Sequence, residues 1–342
     1  MCMNKQEIVP VFYATDEHYL PYLGVALSSL IAHCDKNRKY AVHVLTNGKL
    51  GEKANYIESM QTQNLSVQFH NVSKQIRRII GDLHCRDYYT PAIFYRLFIP
   101  DLFPQYDKAI YLDCDTVLQA DIAEFFDVDL GDNLLGAVAD AVVATTREFR
   151  AYTRKALGIE PDCYFNSGVL SLNLKALRAM HFYRAFCDML HAYRFIVAPD
   201  QDCLNVICKG KVHYFSKEWN YMPILGKCET ELKLVHYNLS LKPWHYDHIA
   251  HGELFWEYAK TTPFYGGILL DRRAFTAEQA RRDEECGLKL IALANAEANS
   301  VNNYLKTISK KQQEKSKNGI NNGGRYAFNT NCKRAITAYS KD

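Results

Sequence analysis

Two carboxylates stand one residue apart in Lys108–Leu118, which reads KAIYLDCDTVL. The apolar run Ala109–Leu112, bounded by charge, reads as the end of a buried strand. Side chains i and i+2 on a strand share a face, so Asp113 and Asp115 are expected to lean toward one point at the strand's carboxyl end. Carboxylates that close repel unless a cation lies between them or one takes up a proton. A divalent cation meets that need, because hard cations prefer oxygen ligands. The crevice at the carboxyl ends of an open α/β sheet is also where ligands bind. The structural alternative is that one Asp caps the next turn while the other is solvated. A short motif cannot choose between the two.

Other groups able to do chemistry are spread along the chain. Asp140 ends a short apolar run, Leu134–Asp140. The segment Pro199–Asp202 (PDQD) opens a helix pattern with Asp200, Gln201 and Asp202 at its start; a helix N-terminus favours anionic side chains for structural reasons alone. Arg96 lies in Thr90–Leu97, a helix pattern with Pro in its first turn. His236 lies near the end of the strand pattern Leu232–Tyr237, and taken alone reads more readily as a core histidine than as a ligand.

The elements that must position these groups alternate from the start. Ile8–Thr15 is β-branched and aromatic and reads as a first strand. Asp16 is placed to cap the following helix, whose Leu20, Leu23, Leu27, Leu30 and Ile31 fall at helical spacing. A strand at Tyr40–Thr46, a helix near Glu52–Gln61 and a strand at Leu65–Val72 follow, the alternation of a parallel doubly wound sheet. The first strand is not followed by GxGxxG, so an NAD-type fold is not supported. Later strands are expected at Tyr164–Leu174 and Lys211–Phe215, and helices at Ala176–Tyr193 and Ala277–Tyr304. The fold expected is α/β, a Rossmann-like mixed, mostly parallel sheet flanked by helices, with a smaller helical, aromatic-rich C-terminal region. Residues 1–245 form the main domain, 246–305 a helical extension and 306–342 a basic, flexible tail.

With 342 residues, 48% hydrophobic and 23% charged, the chain can bury a substantial core. No run reaches the ~18 apolar residues of a membrane helix, and the N-terminus lacks the ordered parts of a signal peptide. Eleven scattered cysteines without CxxC read as free thiols in a reducing cytosol. Residues 301–342 hold nine Lys/Arg and two Asp/Glu, a net of +7 against +3 for the whole chain, which leaves −4 for the body. Such a tail suits contact with an anionic membrane surface or simple solvation. The expectation is a cytoplasmic protein, peripheral at most, that binds no nucleic acid.

Six blocks occur in order: FYATDEHY, YRL (Tyr95–Leu97), YLDCDT (Tyr111–Thr116), FNSGVLSLNL (Phe165–Leu174), PDQD and HYNLSLKPW (His236–Trp244). Together they resemble the family 8 glycosyltransferases, retaining enzymes of GT-A fold that include bacterial lipopolysaccharide galactosyl- and glucosyltransferases. The resemblance implies a UDP-hexose donor, a glycan or lipid-linked acceptor, and Mn²⁺, with Mg²⁺ as substitute. It assigns Asp113, Asp115 and His236 to the ion, a donor set that suits Mn²⁺ better than Mg²⁺. Ala14, Asp16 and Tyr19 would line the uridine pocket, with Cys114 beside the nucleotide. Arg96, Asp140, Asn166 and Asp200 would hold the sugar, and Lys242 the diphosphate. Gln201 would face the anomeric carbon, with Asp202 and Asp140 in supporting catalytic roles. The family pattern HxxGxxKPW departs here at Leu239, where Gly is usual, and His18 replaces a frequent Asn. Leu cannot adopt φ > 0 cheaply, which leaves open a changed loop path, weaker phosphate contact, or a protein that binds UDP-sugar without turnover. DCDTVL also fits the motif of haloacid dehalogenase-type phosphatases, but that motif normally follows the first strand, and here three strand–helix units precede it.

Overall fold

The structure, a computed structural model, describes residues 8–48, 50–79, 90–228 and 230–317. Its strands are β1 (Val9–Ala14), β2 (Tyr40–Thr46), β3 (Leu65–Asn71), β4 (Lys108–Leu112), β5 (Thr116–Leu118), β6 (Leu135–Ala139), β7 (Phe165–Asn173), β8 (Val212–Tyr214) and β9 (Leu234–His236). Seven form one sheet in the order β3-β2-β1-β4-β7-β6-β8, while β5 and β9 make a separate two-stranded ribbon. Strands β3, β2, β1 and β4 run parallel; β7 alone runs against its neighbours β4 and β6. The expected mixed, mostly parallel sheet flanked by helices is what forms.

Near-continuous apolar runs, whose successive side chains alternate between the two faces, explain why the sheet is buried on both. On β1, Val9, Val11 and Tyr13 pack into one apolar cluster and Phe12 into the other; on β4, Ile110 and Leu112 oppose Ala109 and Tyr111 in the same way. A third cluster gathers Tyr22, Val117, Val235, Tyr237, Trp244 and Phe255 around the ribbon.

Because β7 reverses direction, its first residues arrive at the edge where β1, β4 and β6 end. Leu112 pairs with Val169, and the Asp113 amide donates to the Gly168 carbonyl at 2.8 Å. Ala139 pairs with Phe165, and the Asp140 amide donates to the Tyr164 carbonyl at 2.8 Å. The single reversed strand therefore sets Asn166, Ser167 and Gly168 between Asp113 and Asp140.

Several expectations need correction. Asp113–Asp115 is a turn between β4 and β5, because the chain leaves the large sheet there for the ribbon. The segment Pro91–Phe98 is 3-10 rather than α. The helix expected over Ala176–Tyr193 is two helices, Leu174–Ala179 and Phe182–Ala192, broken at His181 with φ 56°. The helix Ala277–Asn299 stops short of Tyr304, where a further helix runs to Lys317, inside the segment expected to be flexible. The remainder of the tail, 318–342, lies outside the described residues. Asp16 Oδ1 accepts from the His18 and Tyr19 amides, so it caps a turn before the helix Leu20–His33 and not the helix itself. All eight described cysteines are free thiols. Among the described residues no helix is long and apolar enough to cross a membrane.

Candidate active site

The turn after β4 brings both aspartates under the ribbon. Thr116 on β5 pairs with His236 on β9, and the Tyr237 amide donates to the Asp115 carbonyl at 2.9 Å. His236 Nε2 lies 3.3 Å from Asp115 Oδ1 and 3.9 Å from Asp113 Oδ2. One ligand atom from each of the three lies within 4.8 Å of the others.

The surroundings fit a cation. Asp115 Oδ1 is buried and has no hydrogen-bond partner, a costly arrangement unless something else satisfies it. His236 Nδ1 is tied to Asn220 Oδ1 at 2.9 Å, which leaves Nε2 turned to the aspartates in the manner of a metal-ligating histidine held by an outer partner. A methyl group on Gly168 would stand 2.4 Å from His236 Cε1 and 2.5 Å from Asp113 Oδ2, so the cradle exists only with glycine there. Two carboxylates and one imidazole form a mixed oxygen–nitrogen donor set suited to Mn²⁺.

Charge around the cluster is balanced by buried cations. Asp113 Oδ1 accepts from Tyr111 Oη at 2.8 Å and from an Arg96 guanidinium nitrogen at 3.0 Å. Lys242 Nζ donates to Asp115 Oδ2 and, at 2.6 Å, to the Tyr237 carbonyl. Burial opposes ionisation of Asp115, but Lys242 and His236 outweigh it and hold the carboxyl below its ordinary range. Asp200 is shifted the other way: burial raises it, against the pull of Arg96 Nε at 3.6 Å.

Further along the edge lies a polar relay. Asp140 Oδ1 caps the helix Ala141–Thr145 through the Val142 and Val143 amides. Its Oδ2 accepts from Gln201 Nε2 at 3.0 Å and Asn166 Nδ2 at 3.2 Å. Gln201 Oε1 accepts from the Ser167 amide at 2.9 Å, and Asn166 Oδ1 from Asn220 Nδ2 at 3.0 Å. Asn220 thus links the Asn166 amide to the His236 imidazole.

A cleft of about 410 Å³ gathers nearly all the expected residues: Ala14, Asp16, Tyr19, Arg96, Asp113, Cys114, Asp115, Asp140, Asn166, Asp200, Gln201, His236 and Lys242. Tyr19 sets its ring edge-on to Tyr22 and Trp244, and Cys114 Sγ donates to the Ala14 carbonyl at 3.3 Å. Asp202 is the exception. It is fully buried behind the cleft, taking hydrogen bonds from Tyr152 Oη, Tyr164 Oη and the Ala198 amide. Buried there and absent from the cleft's lining, it does not fit the supporting catalytic role expected of it. Sequence reasoning missed Gly168, Ser167 and Asn220. The first two lay inside the quoted block FNSGVLSLNL; Asn220, in a short 3-10 turn, carried no signal.

Leu239 lines the cleft with φ 51°. The left-handed conformation that a glycine would adopt easily is taken here by leucine, so the backbone keeps a bend that costs roughly 1 kcal/mol or more for a residue with a Cβ.

An open sheet with an Asp-Asp-His cluster where its middle strand ends, beside a cleft lined by amides and carboxylates, defines a GT-A-type glycosyltransferase. The chain belongs to glycosyl transferase family 8, whose model matches residues 10–248. It is similar to a putative glycosyltransferase of Haemophilus influenzae, 28% identical over 221 residues that cover 62% of this chain and 63% of that protein. It is also similar to a lipopolysaccharide 1,2-glucosyltransferase of Escherichia coli K12, 27% identical over 272 residues covering 71% and 75%. Among solved structures, the galactosyltransferase LgtC in complex with donor and acceptor sugar analogues superposes with a TM-score of 0.66 at 26% identity, covering 76% of this chain and all of that one. The bifunctional glycosyltransferase WbbM gives 0.69 at 27% identity, with 80% of this chain but 53% of that one covered. The chain thus spans under two thirds of the Haemophilus protein and about half of WbbM.

Proposed function

We propose that this protein moves a hexose, glucose or galactose, from a UDP-sugar to a hydroxyl of a glycan or lipid-linked acceptor, with retention of the α configuration, in cell-surface polysaccharide or lipopolysaccharide synthesis. The observation that carries the reading is the unpartnered Asp115 oxygen facing His236 and Asp113 in the cleft. These three residues would hold Mn²⁺, or Mg²⁺ in its place. Bound there, the ion supplies Lewis-acid stabilisation of the charge on the departing diphosphate.

The chain's own residues do the rest. Lys242 brings a second positive charge to the same spot, as a point charge matched to phosphate. Tyr19, Asp16 and Ala14 would receive the uridine. Arg96, Asp140, Asn166 and Asp200 would fix the hexose through its hydroxyls, and their bonds to one another pre-set their orientation. Gln201 faces the reacting carbon with an amide already held at both ends. An amide is a poor nucleophile, which favours front-face attack. The bond from the anomeric carbon to the phosphate oxygen breaks, the bond to the acceptor oxygen forms, and a phosphate oxygen takes the acceptor proton. Contact of the basic residues 306–342 with a membrane surface belongs to the same proposal.

Asp113→Ala and Asp115→Ala are each expected to abolish Mn²⁺-dependent release of UDP from UDP-glucose and UDP-galactose; full activity in either variant overturns the ion's role. Gln201→Ala is expected to lower turnover with UDP affinity nearly unchanged. Leu239 favours a second reading, a protein that binds UDP-sugar without turnover. Calorimetric titration with UDP and Mn²⁺ beside the release assay separates the two.

A further inference from the structure

The family match ends at residue 248, yet the cleft does not. Asp283 and Leu290 of the long helix Ala277–Asn299 line the same cavity as Asp113 and Gln201. They stand seven residues apart, two turns and about 10 Å along one helical face. We propose that this helix is the acceptor-selecting wall of the site, and that it takes a neutral saccharide, with Asp283 and His245 meeting its hydroxyls and Leu290 its C–H face. The proposal rests on the donor reading above.

The helix is fixed firmly enough to select. Thr276 and Gln279 form a reciprocal capping box at its start, a device that satisfies two otherwise unpaired amides. Ala294 and Ala298 are buried in the core at its far end. Tyr246 Oη donates to Asp283 Oδ2 at 2.8 Å, which pins the helix to the segment that follows Lys242 and Trp244. His245 stacks on Phe275, with ring centroids 4.3 Å apart and planes 7° apart.

What these residues offer is not accounted for by donor or ion. His245 lines the cleft, and its Nδ1 is buried with no hydrogen-bond partner. Asp283 uses one carboxylate oxygen on Tyr246 and has lone pairs to spare. Leu290, Phe149 and Val142 add apolar surface to the same cleft. A sugar has this double character, hydroxyls at its rim and C–H groups on its faces. A carboxylate in the wall penalises an acidic saccharide by like-charge repulsion, so the acceptor unit docked there is uncharged. Because the helix lies outside the matched region, it can differ between relatives while the donor machinery stays the same.

The test is binding of lactose, octyl β-glucoside, octyl β-galactoside and p-nitrophenyl β-glucuronide, read by saturation-transfer NMR on the full chain with and without UDP and Mg²⁺. The wild type is expected to bind at least one neutral probe and to reject the glucuronide. Asp283→Ala and Leu290→Ala are each expected to weaken the neutral probe by about fivefold, the loss of one ordinary contact, while Asp283→Asn narrows the discrimination against the glucuronide. UDP titrates both alanine variants as it does the wild type. No binding of any neutral probe, or equal binding by wild type and both variants, overturns the inference. Failure of UDP itself to bind the wild type would instead sink the donor reading, and the separate UDP titration tells the two failures apart.

Discussion

Gly168 shows how narrowly the candidate ion site is drawn. It lies in a strand, where glycine is usually a weakness, and its backbone supports Asp113 through the hydrogen bond to the Asp113 amide. A single methyl group would collide with both the imidazole and the carboxylate. Gly168→Ala is therefore expected to fold with a Tm lowered by a few degrees, the cost of overpacking, and to bind Mn²⁺ about tenfold or more weakly, the usual effect of displacing metal ligands through their supports. Mn²⁺ titration by electron spin resonance beside a circular dichroism melt checks this; unchanged Mn²⁺ affinity would remove the cradle from the argument. The aspartate pair was legible in the sequence because its spacing is local. Gly168 was not, because its importance comes from an antiparallel pairing between β4 and β7 that no spacing within FNSG encodes.

At the scale of elements, the helix Pro199–Ile207 places its residues on two sides. Asp200 and Gln201 face the cleft while Asp202 points into the core. On a helix, residues i and i+2 do not share a face, so the pair Asp200/Asp202 could have been divided from the pattern alone once the helix was accepted. Burial outweighs the three hydrogen bonds that Asp202 receives and raises its carboxyl from 3.8 to about 7. The folded chain thus holds a proton that the unfolded chain has released, and this group's contribution to stability falls as pH rises between 3.8 and about 7. The slope is at most about 1.4 kcal/mol per pH unit. Asp202→Asn is expected to flatten the decline of Tm across that window; a decline identical to the wild type's would show that the carboxyl ionises normally. The strand ladder itself was legible through its β-branched and aromatic runs and its strand–helix alternation. The break at His181 was not, since a left-handed residue needs no glycine and leaves the helical pattern on both sides intact.

For the whole molecule, sequence alone carried the family and most of the residues that line the cleft, because those rest on blocks that each end a strand or open a helix. It did not reveal that the C-terminal helix returns to the cleft, since the contact of Asp283 with Tyr246 depends on how the extension folds back. Ligands that bind only the folded chain raise its stability by mass action, about 2.7 kcal/mol at a hundredfold excess over Kd. UDP with Mn²⁺ is accordingly expected to raise Tm by several degrees in the wild type and far less in Asp115→Ala. An equal rise in both would place the nucleotide elsewhere.

The ribbon of β5 and β9 has a bearing on how the protein is made. Every strand of the large sheet has left the ribosome by Tyr214, but the third candidate ligand, His236, is carried on β9 and emerges only afterwards. A nascent chain stalled in between, or a product clipped there by a protease, carries both aspartates and no imidazole to close the grip. Under the proposed function, such fragments would lack the complete grip for the ion and would consume no nucleotide sugar.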